Sequence, residues 1–490
     1  MTLPNGTRQR DSAGVRLPLQ KGARQREGAG GYLPALRRIV GTANVLDAPE
    51  DLIVFEYDAT IERGLPDAVV LPKTTAEVSA VVRLAHDQGI PIVPRGSGTG
   101  LSGGSVPAHG GISLVLTRMD RILELDPVNR IAVVEAGVIN YEIDRAARKH
   151  GLFYAPDPAS YKTCTIGGNV AENAGGPHCL AYGVTTNHVL GLEVVLADGS
   201  IVEVGGRYRD VPGYDLTGLI VGSEGTLCVV TKVIVRLLPV PETGYTVVAG
   251  FRVVDDAANA VSQMIASGVV PQCMEVTQFE AITRMLPGGT ESEVTANMIV
   301  EIEGLKEDVT ELGPAIQRIL EANKAVSINV AKDDAEREAI WKTRRGFGGM
   351  VGRIAPNTCV IDGVVPRTML PKVLRKVAEI AHKHELLHVA AFHAGDGNLH
   401  PNFAFDASQP GMTERVVVAA DEVLKACVEA GGSITGEHGV GLEKREHLRL
   451  MFNDADIATM KRLRAAFDAA FFNPGKIFPK DAAVEPLEVV

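Results

Sequence analysis

Histidine is sparse in this chain, twelve residues in all, yet His393 and His400 bracket the turn HAGDGNLH at a spacing of seven. A glycine-rich turn of that length can fold both imidazoles toward one point. Glu437 and His438 stand side by side in SITGEHGVG, again among glycines. Two imidazoles and a carboxylate with an open position suit Zn²⁺, with Mn²⁺ and Fe²⁺ as alternatives. Such an ion makes an oxygen bound to it a far better acid, the property needed to activate a hydroxyl. A plainer reading stays beside this one, because Asp396 in the middle of the turn is also the residue of an ordinary Asx turn.

The second chemical signal is glycine. Of the 52 glycines, many concentrate at 95–104, 167–176 and 436–441, where backbone must approach something closely. PRGSGTGLSGG (94–104) contains a literal G-x-G-x-x-G at 98–103. A dinucleotide fingerprint of the Rossmann type needs a helix to open at that point. The continuation SVPAHGGISLVL reads as loop and then strand, so the motif is not that fingerprint. Successive glycine amides still form a nest for phosphate without a helix. PDPASYKTCTIGGNVAENAGG (156–176) and VGSEGTL (221–227) are further glycine-rich stretches, and three of them imply a large ligand lying along the backbone.

These segments need elements to hold them. AVVLP (68–72), IPIVP (90–94), ISLVL (112–116), IAVVEAG (131–137), LGLEVVLADG (190–199) and VVTKVIVRLLP (229–239) read as strands. Helices are expected at 75–88 and 138–151, and ADG at 197–199 marks a hairpin. Beyond Pro241 the texture changes to helix (253–268), strand (298–304), helix (308–324) and strand (387–395), an α+β pattern. A last helix is expected at 454–470. The resulting division is a disordered extension at 1–30, a first domain at 31–245, a second at 246–450, and a C-terminal helix and tail at 451–490 that returns to the first. The extension is Arg- and Gln-rich, nearly duplicates GTRQRDSAG as GARQREGAG, and has no apolar stripe; a transit peptide is the minor alternative.

The 490 residues, 45% hydrophobic and 22% charged, can build a sizeable core. A net charge of −11 argues against nucleic acid. No stretch approaches a membrane span, and no apolar signal segment opens the chain. The six cysteines at 164, 179, 228, 273, 359 and 427 form no C-x-x-C pair, so neither a zinc ribbon nor an iron–sulfur cluster is expected within this chain.

Taken together, PRGSGTGLSGG, PDPAS-x5-IGGNVAENAGG and GSEGTL resemble the FAD-binding domain of the vanillyl-alcohol oxidase/p-cresol methylhydroxylase superfamily. AFHAGDGNLHPN, GEHGVG and FNPGK resemble the FAD-dependent D-2-hydroxyacid dehydrogenases, the group that includes D-lactate and D-2-hydroxyglutarate dehydrogenases and the flavin-bearing subunit of bacterial glycolate oxidase. The resemblance runs from about residue 45 to 480. It implies an α+β fold: a two-subdomain FAD-binding domain, a cap domain with an antiparallel sheet for substrate, and a C-terminal helical return. It implies FAD contacts at Pro94, Arg95, Gly96, Ser97, Gly98, Thr99, Gly100 and Leu101, then at Pro158, Ser160, Ile166, Gly167, Gly168, Asn169, Ala174, Gly175 and Gly176, and further on at Glu224, Gly225 and Asn473. With no histidine in 94–104, the FAD is expected to be held non-covalently. His393, His400 and Glu437 become the metal ligands, His438 the base, Asn402 a substrate contact, and Arg344 of WKTRR the clamp on the substrate carboxylate. Cys228 stands where relatives usually have glycine, which should alter packing near the flavin.

The expected reaction is oxidation of glycolate or D-lactate to the 2-oxo acid. The metal makes the hydroxyl more acidic and His438 accepts its proton, Arg344 orients the carboxylate, and hydride passes to flavin N5. Electrons leave to an iron–sulfur partner subunit or a quinone, in the cytoplasm or at the inner membrane through a partner. D-2-hydroxyglutarate is the alternative substrate. The rivals are a non-catalytic flavin-binding subunit and a zinc hydrolase whose glycine loops are structural.

Overall fold

The computed structural model describes residues 29–208, 212–278 and 293–480. The expected extension at 1–30 lies outside the described residues except for its last two, which open the helix Ala29–Val40, and 481–490 of the expected tail lie outside as well.

The first half holds two sheets. One joins Val45–Leu46, Ala68–Val70, Ile112–Val115 and Ile92–Arg95 in that spatial order, the last three parallel. The helix Thr75–Asp87 makes the parallel crossover. Thr74 caps it by accepting from the Glu77 amide, and its stripe Val78, Val81, Val82 and Ala85 is fully buried. The other sheet is antiparallel, in the order Ile122–Asp126, Ile131–Glu135, Val229–Arg236, Val189–Val195 and Ile201–Gly205. The hairpin signal at 197–199 joins its last two strands.

The second half is built on a nine-stranded antiparallel sheet. Its central run is Thr243–Phe251, Ala296–Gly304, Cys273–Gln278 and Leu387–His393, with Pro401–Phe405 pairing the last of these. Side chains alternate between its two faces. Met274, Val276, Met298, Val300, Ala390 and Phe392 enter one apolar core with residues of the helices Val254–Ala266, Lys306–Ala322, Leu370–Lys383 and Met412–Glu429. Cys273 and Ile299 face the opposite way and pack on Trp341 of the helix Asp334–Arg345. Glu275, Glu301 and His393 share the parity of that second face. The chain then returns to the first half, where Phe472 bridges to Ile92 and packs into its core.

Candidate functional site

A cavity opens where the first half's glycine segments meet the second half. The strand Ile92–Arg95 ends at its rim, and no helix opens between Arg95 and Ile112. The loop is instead an irregular backbone run with Gly98 at φ +74°, where a side chain would also strike the Arg95 guanidinium. All eight residues from Pro94 to Leu101 line the cavity. The second glycine stretch differs from a plain loop. Ile166–Glu172 is a short helix capped by Thr165, because Ile166 and Val170, one turn apart, bury against the antiparallel sheet. Gly167 lies so close to Ala136 that a Cβ would come within 2.8 Å of the Ala136 methyl.

Pro158, Ser160, Gly167, Gly168, Asn169, Ala174, Gly175, Glu224, Gly225 and Asn473 also line this cavity. Ile166 and Gly176 do not. Ile166 is fully buried in the core beneath the cavity, and Gly176 at φ +152° is pressed against the Asp157 backbone. The Glu224 carboxylate is committed to the protein, each oxygen accepting a backbone N–H, from Val440 and Gly441, at 2.7 Å. Asn473 donates to the carbonyls of Glu224 and Gly104, tying two cavity segments together. Cys228 is buried on the same wall.

The HAGDGNLH segment is a tight strand reversal. His393 pairs across from Asn398, Gly397 takes φ +83°, and Asp396 accepts from the Asn398 amide, so the Asx turn is real and serves to bring His400 back beside His393. The two rings lie 5.1 Å apart, and both Nε2 atoms point at one oxygen of Glu437, at 3.2 and 3.1 Å. The loop that carries Glu437 is bolted down by Asp362, a fully buried carboxylate. Asp362 accepts from the amides of Gly436 and His438 and from the Thr435 hydroxyl, and it pairs with Lys444 at 3.2 Å. His438 stacks on His400 at 4.9 Å, and its buried Nδ1 has no partner.

Electrostatics follow from this crowding. Burial opposes ionisation of Glu437, yet His393 and His400 hold its carboxyl well below the usual range. Burial likewise opposes charging of His393, but Glu275 and Glu437 raise it well above the ordinary imidazole range. At His438 burial dominates and pushes the ring down to about 4, although Asp362 and Glu437 act to raise it.

Among the sequence-predicted residues, His393, His400, Glu437 and His438 therefore meet, and Glu437 and His438 stand on the wall of the cavity formed by 94–101. Asn402 lies on the same side of its strand as His400 and donates to the His400 carbonyl. Arg344 is off the cavity wall. Its Nη2 sits 2.5 Å from Glu275, while its buried Nε has no partner. Sequence reasoning missed Glu275 and Asp362, the carboxylates that brace this cluster. The available signal for Glu275 was a lone acid alternating with Met274 and Val276 in CMEVTQ, a strand pattern of period two.

Two family models match the chain, an FAD binding domain over residues 66–205 and the C-terminal domain of FAD linked oxidases over 240–477. The glycolate oxidase subunit GlcD of Escherichia coli (strain K12) is 41% identical over 452 residues, covering 91% of each chain. The chain belongs to the FAD-linked oxidase family. Within this family, D-lactate dehydrogenase of Archaeoglobus fulgidus is 34% identical, covering 87% of this chain and 96% of its own. The fold is shared with 4-ethylphenol oxidase from Gulosibacter chungangensis at a TM-score of 0.78 and 19% identity, over 94% of this chain and 99% of that one. It is shared with p-cresol methylhydroxylase at 0.75 and 18% identity, over 92% and 97%.

This FAD-linked oxidase has a cavity whose chemistry fits its cofactor: glycine backbone along one side, and a buried Asn169 amide with no protein partner on its wall. The residues also fit a divalent ion. One donor atom from each of His393, His400 and Glu437 lies within 4.8 Å of the others, a nitrogen–oxygen set suited to zinc.

Proposed function

We propose that this FAD-linked oxidase converts a small 2-hydroxy acid, glycolate or D-lactate, to the 2-oxo acid. The carrying observation is that Glu437 and His438 stand on the wall of the cavity lined by the 94–101 loop, so the proton-handling groups face the flavin's place. The printed functions of the relatives, a glycolate oxidase subunit and a D-lactate dehydrogenase, support the substrate class. When bound, FAD takes up the hydride from the substrate carbon, and a divalent metal on His393, His400 and Glu437, zinc before manganese or iron, makes the substrate hydroxyl more acidic.

The chain's own residues do the rest. His438, on the cavity wall, receives the hydroxyl proton. Arg344 offers its free, buried Nε to the substrate carboxylate while Glu275 holds its Nη2. Asn402, fixed through the His400 carbonyl, lies on the substrate's side of the sheet. The loops at 94–101, 158–160 and 166–176, with Glu224, Gly225 and Asn473, hold the FAD without a covalent bond. Electrons leave to an iron–sulfur partner or a quinone, since the scattered cysteines offer no cluster site in this chain. The chain works in the cytoplasm and reaches the inner membrane only through that partner.

The test is anaerobic addition of glycolate, D-lactate, L-lactate and D-2-hydroxyglutarate in turn to the purified yellow protein, following the visible flavin absorbance. Bleaching by glycolate or D-lactate, and not by L-lactate, is expected. Bleaching by D-2-hydroxyglutarate alone would move the assignment to a dicarboxylate, and no bleaching by any of the four would leave a flavin-binding subunit without this activity.

A further inference from the structure

The His393 ring is held between two carboxylates. Glu437 meets its Nε2 at 3.2 Å, and Glu275 meets its Nδ1 at 2.5 Å. Glu275 comes from the neighbouring strand Cys273–Gln278, where it is the direct cross-strand partner of His393 in the antiparallel register. The contact is therefore set by the sheet rather than by a loop. Glu275 is 1% exposed; its Oε1 hydrogen-bonds His393, and its Oε2 is ion-paired with Arg344 at 2.5 Å without making a hydrogen bond. A buried carboxylate is tolerated only with such partners.

We propose that Glu275 is a positioning residue that ties the two halves of the active site together, setting the His393 ring for metal and the Arg344 guanidinium for the substrate carboxylate. This rests on the metal and arginine roles of the proposed function. An acceptor at Nδ1 keeps a proton on that nitrogen, so that when an ion takes the place of the Nε2 proton shared with Glu437, the Nε2 lone pair is the one offered to it. The same acceptor fixes the ring plane. On the other side, one guanidinium nitrogen is spent on Glu275, so Arg344 is anchored with its unpartnered Nε in a set direction. Neither Glu275 oxygen touches substrate in this arrangement; its influence passes through the two residues it grips.

The measurement is metal affinity, by competition with a chromophoric chelator, on the FAD-loaded wild type, Glu275→Gln and Glu275→Asp. Flavin content and thermal midpoint are recorded alongside. Glutamine keeps the shape and loses the charge; aspartate keeps the charge but draws back from both His393 and Arg344, and it serves if the first variant does not fold. Loss of metal affinity by about 10- to 100-fold with FAD fully retained is expected. A raised KM for the acid in a metal-saturated Glu275→Gln protein is expected as the second signature, through Arg344. Wild-type metal affinity in a folded, FAD-loaded variant would overturn the inference while leaving the metal site intact. A wild-type protein that binds no metal at all would instead remove the metal reading, and this inference with it.

Discussion

His393 hydrogen-bonds a carboxylate through each nitrogen and His400 through one, whereas His438 approaches Glu437 only at 3.9 Å, and its Nδ1, like that of His400, is buried without a hydrogen-bond partner. Burial keeps the His438 ring neutral and able to accept a proton. His438→Gln is expected to slow anaerobic flavin reduction by roughly 10²- to 10⁴-fold, the usual contribution of a general base, with FAD content unchanged. Stopped-flow mixing with the best acid reads this directly, and an unaltered reduction rate would remove His438 from the mechanism. The four residues of the cluster were legible in the sequence because glycines isolate them and histidine is rare. Glu275 was not, because its partner His393 lies 118 positions away, and the strand alternation of CMEVTQ sets its face without saying whether that face is buried. Asp362 was hidden in the same way, its partners coming from 435–444.

At the scale of elements, the period-two alternation of the long strands decides which face becomes core and which becomes site. Strands at 387–393 and 298–304 could be read from their apolar runs, and the helices at 75–87 and 254–266 from their stripes. The short helix Ile166–Glu172 could not, since two glycines in seven residues mask a signal that only Thr165 and the buried Ile166 and Val170 carry. The same sheet face also grips the first half of the chain. His178 binds Asp157 at 2.7 Å and Glu301 at 3.3 Å, and Tyr182 donates to Glu303 at 3.0 Å. Arg337 and the Trp341 indole hold Glu301 from the far side. Burial disfavours charge on His178, but Asp157 and Glu301 raise it well above its ordinary 6.5. Burial opposes ionising Glu301 too, yet His178 and Arg337 bring it from 4.5 down to about 2. The contribution of His178 is therefore complete below its unfolded pKa and is lost as pH rises through the raised one. That of Glu301 is complete above its unfolded pKa and is lost only as pH falls towards about 2. Thermal midpoints followed by flavin fluorescence from about pH 6 to about pH 9 should fall in the wild type, and His178→Gln should start lower and fall less. Parallel curves would mean that this contact does not couple the two halves.

At the scale of the molecule, the fold places a glycine-lined cavity between two bodies of different construction. The first supplies backbone, through glycine loops on a parallel and an antiparallel sheet. The second supplies side chains from one face of a nine-stranded antiparallel sheet, and the C-terminal return docks on the first through Asn473 and Phe472. The glycine runs marked the loops of the cavity in the sequence. The interlocking of the two halves was not visible there, because it depends on single polar contacts between distant segments. Among the described residues no helix is long and apolar enough to cross a membrane. The central claim is that FAD and the His393–His400–Glu437 cluster serve one reaction in one cavity. The most direct measurement is single-turnover flavin reduction by glycolate or D-lactate before and after chelation, with metal and FAD content determined on the same samples. The account predicts that reduction collapses in the metal-free, FAD-loaded protein and returns on adding zinc, manganese or iron(II). Full-rate reduction with FAD bound and metal verified absent would contradict it.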